Sequence, residues 1–328
     1  MDPRVKPEGD SRGSLLGISA MLTYAAQRLL GAIPTLLIII TVAFFLIRVA
    51  PGGPFHLERP LEAQVMENLM KVYNLDKPLG HQYLLYLGNL LQGDLGPSFI
   101  YRDFSVAELL GRGLPVSIQL GGFALLLALI VGTALGSLAA FRQNQGTDYT
   151  VMGFAMVGIT IPNFVMAPIL TLVFALYFDL LPAGGWGDGA IENKILPIFT
   201  LALPQIAVIA RLTRGSMIEA LRSNHVRTAR ANGLPWHVVV IVHALRGALL
   251  PVVSYLGPAA AALLTGSVVI ETIFGIPGVG RYFVQGALNR DYTLVMGTVV
   301  MIAVFVVLFN LIVDLLYAVL DPKVRYHD

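Results

Sequence analysis

Long apolar runs separated by short polar connections set the plan of this chain. Six stand out, at residues 29–50, 116–141, 151–178, 195–210, 249–271 and 293–320. A hydrocarbon core of about 30 Å takes roughly 20 apolar helical residues to cross, so the pattern predicts six transmembrane helices. The fourth is the weakest, because Arg211 cuts its run short. The runs are continuous rather than ten-residue alternations, which argues for a helical bundle and against a barrel. Pro34, Pro162, Pro168, Pro204, Pro251 and Pro258 lie within or at the ends of the spans. Membrane helices tolerate proline where neighbours satisfy the freed carbonyls. Gly132 and Gly136 form a small-xxx-small pair suited to close helix packing.

The connections carry their own patterns. An outer loop at about 51–115 opens on the turn cluster "PGGPF", after which Leu61, Val65, Met66, Leu69 and Tyr73 recur at helical spacing. "QYLLYLGNLL" (82–91) repeats that spacing behind Pro78, and "GDLGPS" (93–98) closes with turns. Short amphipathic helices on the outer face are expected, either packed there or shaping a docking surface. Residues 1–20 are polar and lack the apolar core of a secretory signal. They are expected to form a disordered or dispensable tail before a domain at 21–328 that starts near Met21.

Composition sharpens the class. Hydrophobic residues make up 56% of the chain and charged ones 13%, against about 25% charged in soluble domains. A net charge of +2 gives no case for nucleic acid. The absence of cysteine removes disulfides, thiolate metal sites and cysteine nucleophiles. Basic residues then orient the bundle. Arg4, Lys6, Arg12, Arg28, Arg142, Arg211, Arg214, Arg222, Arg227, Arg230, Arg246, Lys323 and Arg325 fall on one side. The two short loops opposite hold only Lys194, Arg281 and Arg290. Both termini are therefore expected in the cytoplasm.

That orientation places the loop at about 211–248, and within it "SNHVRTARANGLPWHVVVIVHALR" (223–246), in the cytoplasm. Ser223 or Asn224 is a plausible N-cap, Gly233 fits the C′ position and Pro235 prevents continuation. About two turns lie between, too few for a stable isolated helix. Arg227 and Arg230 share a face, and Thr228, Ala229 and Ala231 are small enough for a partner's backbone to approach. The residues alone leave two readings open: an ordinary positive-inside loop with a fortuitous cap, or a stub that another protein's surface completes.

The same loop resembles the cytoplasmic signature of ABC-importer permeases, E-A-A-x-x-x-G-x9-I-x-L-P. Aligned on Gly233, Arg227, Thr228 and Ala229 stand where that pattern has E-A-A, and His243 to Arg246 where it has I-x-L-P. "RTARANGLP" (227–235) and "HALRGALLP" (243–251) are similar to the peptide-permease branch. So are "RLLGAIPTLLIIITVAFFLIRVAPGGPF" (28–55), "GDLGPSF" (93–99), "LTRGSMIEAL" (212–221), "GSVVIETIFGIPGVG" (266–280), "ALNRDY" (287–292) and "LYAVLDPKVRY" (316–326). The chain resembles the B-type membrane subunit of oligopeptide ABC importers over nearly everything from Met21 onward.

The resemblance implies an all-α type I permease bundle in the bacterial inner membrane. The partners it implies are a homologous C-type permease, two ABC ATPases and an extracytoplasmic peptide-binding protein. It implies that His225, Val226, Arg227, Thr228, Ala229, Arg230, Ala231, Asn232 and Gly233 form a coupling helix against one ATPase, flanked by Glu219, Leu234, Pro235, His243 and Leu245. Peptide is the implied substrate, with dipeptides, glutathione or nickel as alternatives among relatives. ATP and Mg would belong to the ATPases. Consistently, none of the five lysines follows a glycine, so the chain holds no G-x-x-x-x-G-K-[ST] phosphate loop.

Rival classes find less in the chain. An ion- or proton-coupled carrier needs ionisable groups within the membrane, and Asp314, with Asn310 one turn earlier, is the one acid read as well inside a span. A structural polar contact is the plainer account of that pair. "GDSRG" (9–13) fits G-x-S-x-G without the strand–turn–helix that a nucleophile requires. No H-E-x-x-H helix exists among the six histidines, so no catalytic or metal site is expected.

Overall fold

In the computed structural model, which describes residues 10–49, 63–101 and 103–320, the apolar runs fold as helices. The first is α1 (Asp10–Val49), unbroken at Pro34. Its helical backbone extends back past Met21 to Asp10, whereas residues 1–9 and the "PGGPF" cluster lie outside the described residues, as do Lys323 and Arg325. The outer loop supplies α2 (Ala63–Val72) and α3 (Leu79–Leu91), matching the periodicity there. Helix α3 packs Tyr83, Tyr86, Leu87 and Leu90 against Ile40 and Phe44 of α1. Burial pushes the Tyr86 phenol up to about 12.

The second span, α4 (Val106–Phe141), starts at a capping box in which Ser105 and Glu108 satisfy each other's backbone N–H groups. The third span departs from expectation. Instead of one helix across 151–178 there are α5 (Gly146–Thr160) and α6 (Asn163–Leu170), the latter continued by a π-helical stretch, Thr171–Tyr177. The two halves meet at 107°. The cause is local: Pro162 has no N–H to donate and holds Ile161 extended (φ −92°, ψ 118°). Pro168 by contrast sits inside α6, and Pro34, Pro204 and Pro258 are likewise within helices.

The fourth span, judged weakest, is the centre of the bundle. Helix α7 (Ile191–Arg222) is buried over 56% of its most apolar window, against 11% for α1. Gly132 and Gly136 of α4 are the contact points: a Cβ at Gly136 would stand 2.4 Å from the Ala210 carbonyl oxygen. Gly158 of α5 approaches the Leu203 carbonyl from α5's side in the same way. The small-xxx-small pair therefore packs backbone to backbone on α7.

After α7 come α8 (Asn224–Ala231) and α9 (Trp236–Val238), which passes through a π-helical stretch, Val239–Ala244, into α10 (Leu245–Ala248). Then follow α11 (Leu250–Ile273), α12 (Val279–Leu288) and α13 (Tyr292–Leu320). Among the described residues five helices are long and apolar enough to cross a membrane, and the bent α5–α6 pair brings the number to six where it counts as one broken span. Connections assigned to opposite sides by their basic residues do gather at opposite ends. Phe141 stacks edge-on against Trp236 at one end, and Gly185 N–H meets the Phe274 carbonyl at the other.

Candidate functional site

Helix α8 is held on one face and open on the other. Val226 and Ala229, three residues apart, are buried with Met217 of α7, Val239 and Ala244 of the π-helical stretch, Ala248 and Ala140. His225, Arg227, Thr228, Arg230, Ala231, Asn232 and Gly233 are exposed. Of the three small residues, Thr228 and Ala231 are left on the open face, whereas Ala229 faces the chain's own core. The 3.6-residue repeat turns Ala229 inward beside Val226.

Local chemistry accounts for both ends. Ser223 occupies the N-cap position, but its hydroxyl donates to the Ala220 carbonyl (2.6 Å) rather than capping α8. At the far end Gly233 takes φ +75°. Gly233 N–H donates to Arg230 O (3.0 Å) and Leu234 N–H to Ala229 O (3.4 Å), the paired bonds of a Schellman stop. Pro235 follows and opens α9. Since one residue, Ser223, separates α8 from α7, the stub is an angled extension of the central helix.

The flanking residues divide by role. His225 Nε2 donates to the His243 carbonyl (3.1 Å), tying the start of α8 to the π-helical stretch. Leu245 packs on the small core beneath α8. Glu219 is exposed and lines a shallow groove with Gly215, Ile218, Arg222 and Ser223. The Arg230 guanidinium lies 5.7 Å from the exposed Trp236 ring, within cation–π range. Arg222, Arg227 and Arg230 face outward, and no acid occurs between Ala220 and Leu250. The surface is a basic knob with an aromatic edge on a rigid base.

Asn310 and Asp314 lie elsewhere, in a cleft between α1 and α13 also lined by Gln27, Arg28 and Thr35. Asp314 Oδ2 is 3.3 Å from Arg28 Nε, and both side chains are partly exposed. Asn310 sits over Gly257, where any Cβ would meet its Oδ1 at 2.8 Å.

Three buried acids escaped the sequence reading. Asp148, in a connection read only for Arg142, is 1% exposed and gripped by Arg214 through two bonds of 2.6 Å. Glu271 is the last residue of the run read as the fifth span, and its burial gave no signal there. It is fully buried near the end of α11, accepting from Ser117 Oγ (2.7 Å) and Gly280 N (2.7 Å). The "GIPGVG" turn wraps it so closely that a Cβ at Gly278 would stand 2.3 Å from Glu271 Oε2. Asp291, also fully buried, accepts from Ser98 Oγ (2.6 Å), Phe99 N (2.9 Å) and Leu294 N (3.0 Å). It caps α13 and pins the outer loop. "GSVVIETIFGIPGVG" and "ALNRDY" contain Glu271 and Asp291, and "GDLGPSF" contains Ser98, so for those two acids the signal was present as motif and absent as pairing, whereas Asp148 lies in none of the three. Among the described residues no group of three His, Cys, Asp or Glu side chains is placed to hold a metal.

Comparison with known proteins gives concordant matches. Residues 132–326 match the binding-protein-dependent transport system inner membrane component, and residues 21–112 the N-terminal segment of such membrane components. The oligopeptide transport system permease protein OppB of Salmonella typhimurium is 54% identical over 93% of this chain and 100% of that protein. OppB of Haemophilus influenzae is 52% identical over the same shares. The dipeptide transport system permease protein DppB of Bacillus subtilis is 44% identical over 94% of this chain and 99% of its own. A solved amino acid ABC transporter chain is similar at a TM-score of 0.48 and 16% identity, covering 66% of this chain and 94% of that one.

Proposed function

The chain belongs to the binding-protein-dependent transport system inner-membrane component family, and from that premise we propose that it is the B-type permease subunit of an ATP-driven peptide importer, coupled to its motor through α8. It is a multi-pass protein of the bacterial inner membrane. A homologous C-type permease completes the translocation path. Two ATPase subunits bind ATP and Mg on the cytoplasmic side, and a binding protein delivers oligopeptide outside. Full-length similarity to OppB at 54% identity supports oligopeptides ahead of dipeptides, where identity falls to 44%.

One observation carries the coupling role: α8 is packed on its apolar face and bare on its basic face. A two-turn helix anchored by Val226 and Ala229 transmits a push as a rigid body. Its exposed arginines suit carboxylates and carbonyls on an ATPase surface. The small core beneath it joins α7, α10 and the end of α4, so displacement reaches several spans together.

The test is peptide uptake beside ATP hydrolysis in the reconstituted complex. Reversing charge at Arg227 and Arg230, or Gly233→Pro, is expected to leave membrane levels unchanged while uptake falls to background. Gly233→Pro removes the N–H bonded to Arg230 and forbids the positive φ. Uptake by this chain without ATPase subunits would overturn the proposal.

A further inference from the structure

We propose that Asp148 and Arg214 are positioning residues, whose buried ion pair fastens the α4–α5 turn to α7 so that displacement of α8 reaches α5 directly. This rests on the coupling role assigned to α8.

Geometry makes the pair a fastener. Arg214 Nε meets Asp148 Oδ1 at 2.6 Å and Arg214 Nη2 meets Oδ2 at 2.6 Å, a fork that fixes angle as well as separation. Asp148 is 1% exposed and the Arg214 side chain 28%. Asp148 Oδ2 also accepts the Asn144 N–H (2.9 Å), and Asn144 holds φ +60° to present it. One carboxylate therefore binds the turn to itself and to α7. Two helical turns further along α7, Arg222 Nη2 donates to Gln143 Oε1 (3.0 Å), a second tie to the same turn. Separating a buried pair leaves an uncompensated charge, so the joint resists opening far more than an apolar contact would.

The rest of the interface prevents sliding. Gly132 and Gly136 seat α4 on the α7 backbone, and Gly158 seats α5 on it. Those contacts run along the helices, and the ion pair closes them at the end nearest α8. Motion of α8 enters α7 across Ser223, and the fork hands it to α5. Helix α5 ends at the 107° break, where Ile161 and Pro162 lack a continuous helical ladder. The α4–α5–α7 unit therefore moves together as far as the break, where the helical ladder stops.

The chain has no cysteine, so paired spin labels can be placed cleanly. Thr147→Cys and Gly215→Cys lie on either side of the fork; Thr147 is exposed, and a Cβ at Gly215 meets open space. Dipolar spectroscopy on the reconstituted importer should give the same distance in nucleotide-free and ATP-bound states. Asp148→Asn should broaden it and lower peptide imported per ATP hydrolysed by at least about fivefold, the smallest coupling usual for linked sites. The exchanged pair Asp148→Arg with Arg214→Asp should recover part of that ratio. A distance that differs between nucleotide states in the wild-type fork overturns the proposal, as does an assembled Asp148→Asn complex with an unchanged ratio. Should Asp148→Asn fail to assemble, the wild-type distances decide alone. Absence of ATP-driven uptake in the wild type would instead strike the role given to α8, and the distances would still judge the fastener.

Discussion

The outer corner and the exposed face of α8 treat their polar atoms in opposite ways. At the outer corner Glu271 and Asp291 are fully buried, and backbone N–H groups and hydroxyls from distant segments point at their carboxylates. At the cytoplasmic end α8 buries only Val226 and Ala229 and turns its arginines outward. A corner that satisfies itself is finished structure. A basic surface on a rigid base is what the proposed coupling role requires. On that proposal the contrast separates residues that hold the permease in shape from residues that would connect it to a motor.

Three tests with four substitutions, from largest effect to smallest, probe that contrast. Gly280→Val should be most damaging, because a Cβ there would lie 2.2 Å from Val268 Cα with no flexible side chain to yield. A loss of roughly 3 kcal/mol or more is expected, as for severe overpacking, read as lost folded protein in detergent. Full-level assembly of that variant would break the idea of a closed outer corner. Ser117→Ala is milder. It removes the hydroxyl that donates to Glu271 and accepts from Val279 N–H, so thermal stability should fall by about 1–3 kcal/mol. Transport per ATP should hold in whatever complex remains.

The finest test stays within α8. Ala231→Leu on the exposed face should change stability by no more than about 0.5 kcal/mol yet reduce ATPase-driven uptake by crowding the partner. Ala229→Leu, two residues away, should instead lower the yield of folded protein, because that site is buried against Val226 and Met217. Equal behaviour of the two would erase the distinction between anchored and presented faces.

Span boundaries show where sequence reading succeeds. The run at 293–320 became α13 with little change, and the run at 116–141 ends where α4 ends but misses its start at Val106, because lipid-facing helices must be apolar whatever they pack against. Run length ranked α7 lowest, because Arg211 cuts its apolar run short, although it is the most enclosed span. The helix continues through Arg211 to Arg222, which an apolar run does not report. Pro162 broke its span while Pro34, Pro168, Pro204 and Pro258 did not, a choice that depends on which neighbours steady each kink. At the candidate site, the glycine stop and the position of α8 were legible because a Schellman turn is a matter of a few adjacent residues. That Ala229 faces inward and Ala231 outward was decided by the core beneath.

By itself the sequence determined the long apolar spans and the two-turn stub closed by Gly233, since these follow from bilayer thickness and from backbone bonds between near neighbours. Only the tertiary structure decided what the buried acids hold. Asp148 meets Arg214 across 66 residues and Asp291 meets Ser98 across 193. No local periodicity encodes such pairs, because a carboxylate's partner is fixed by where the helices bring the chain back, and only the assembled bundle sets that.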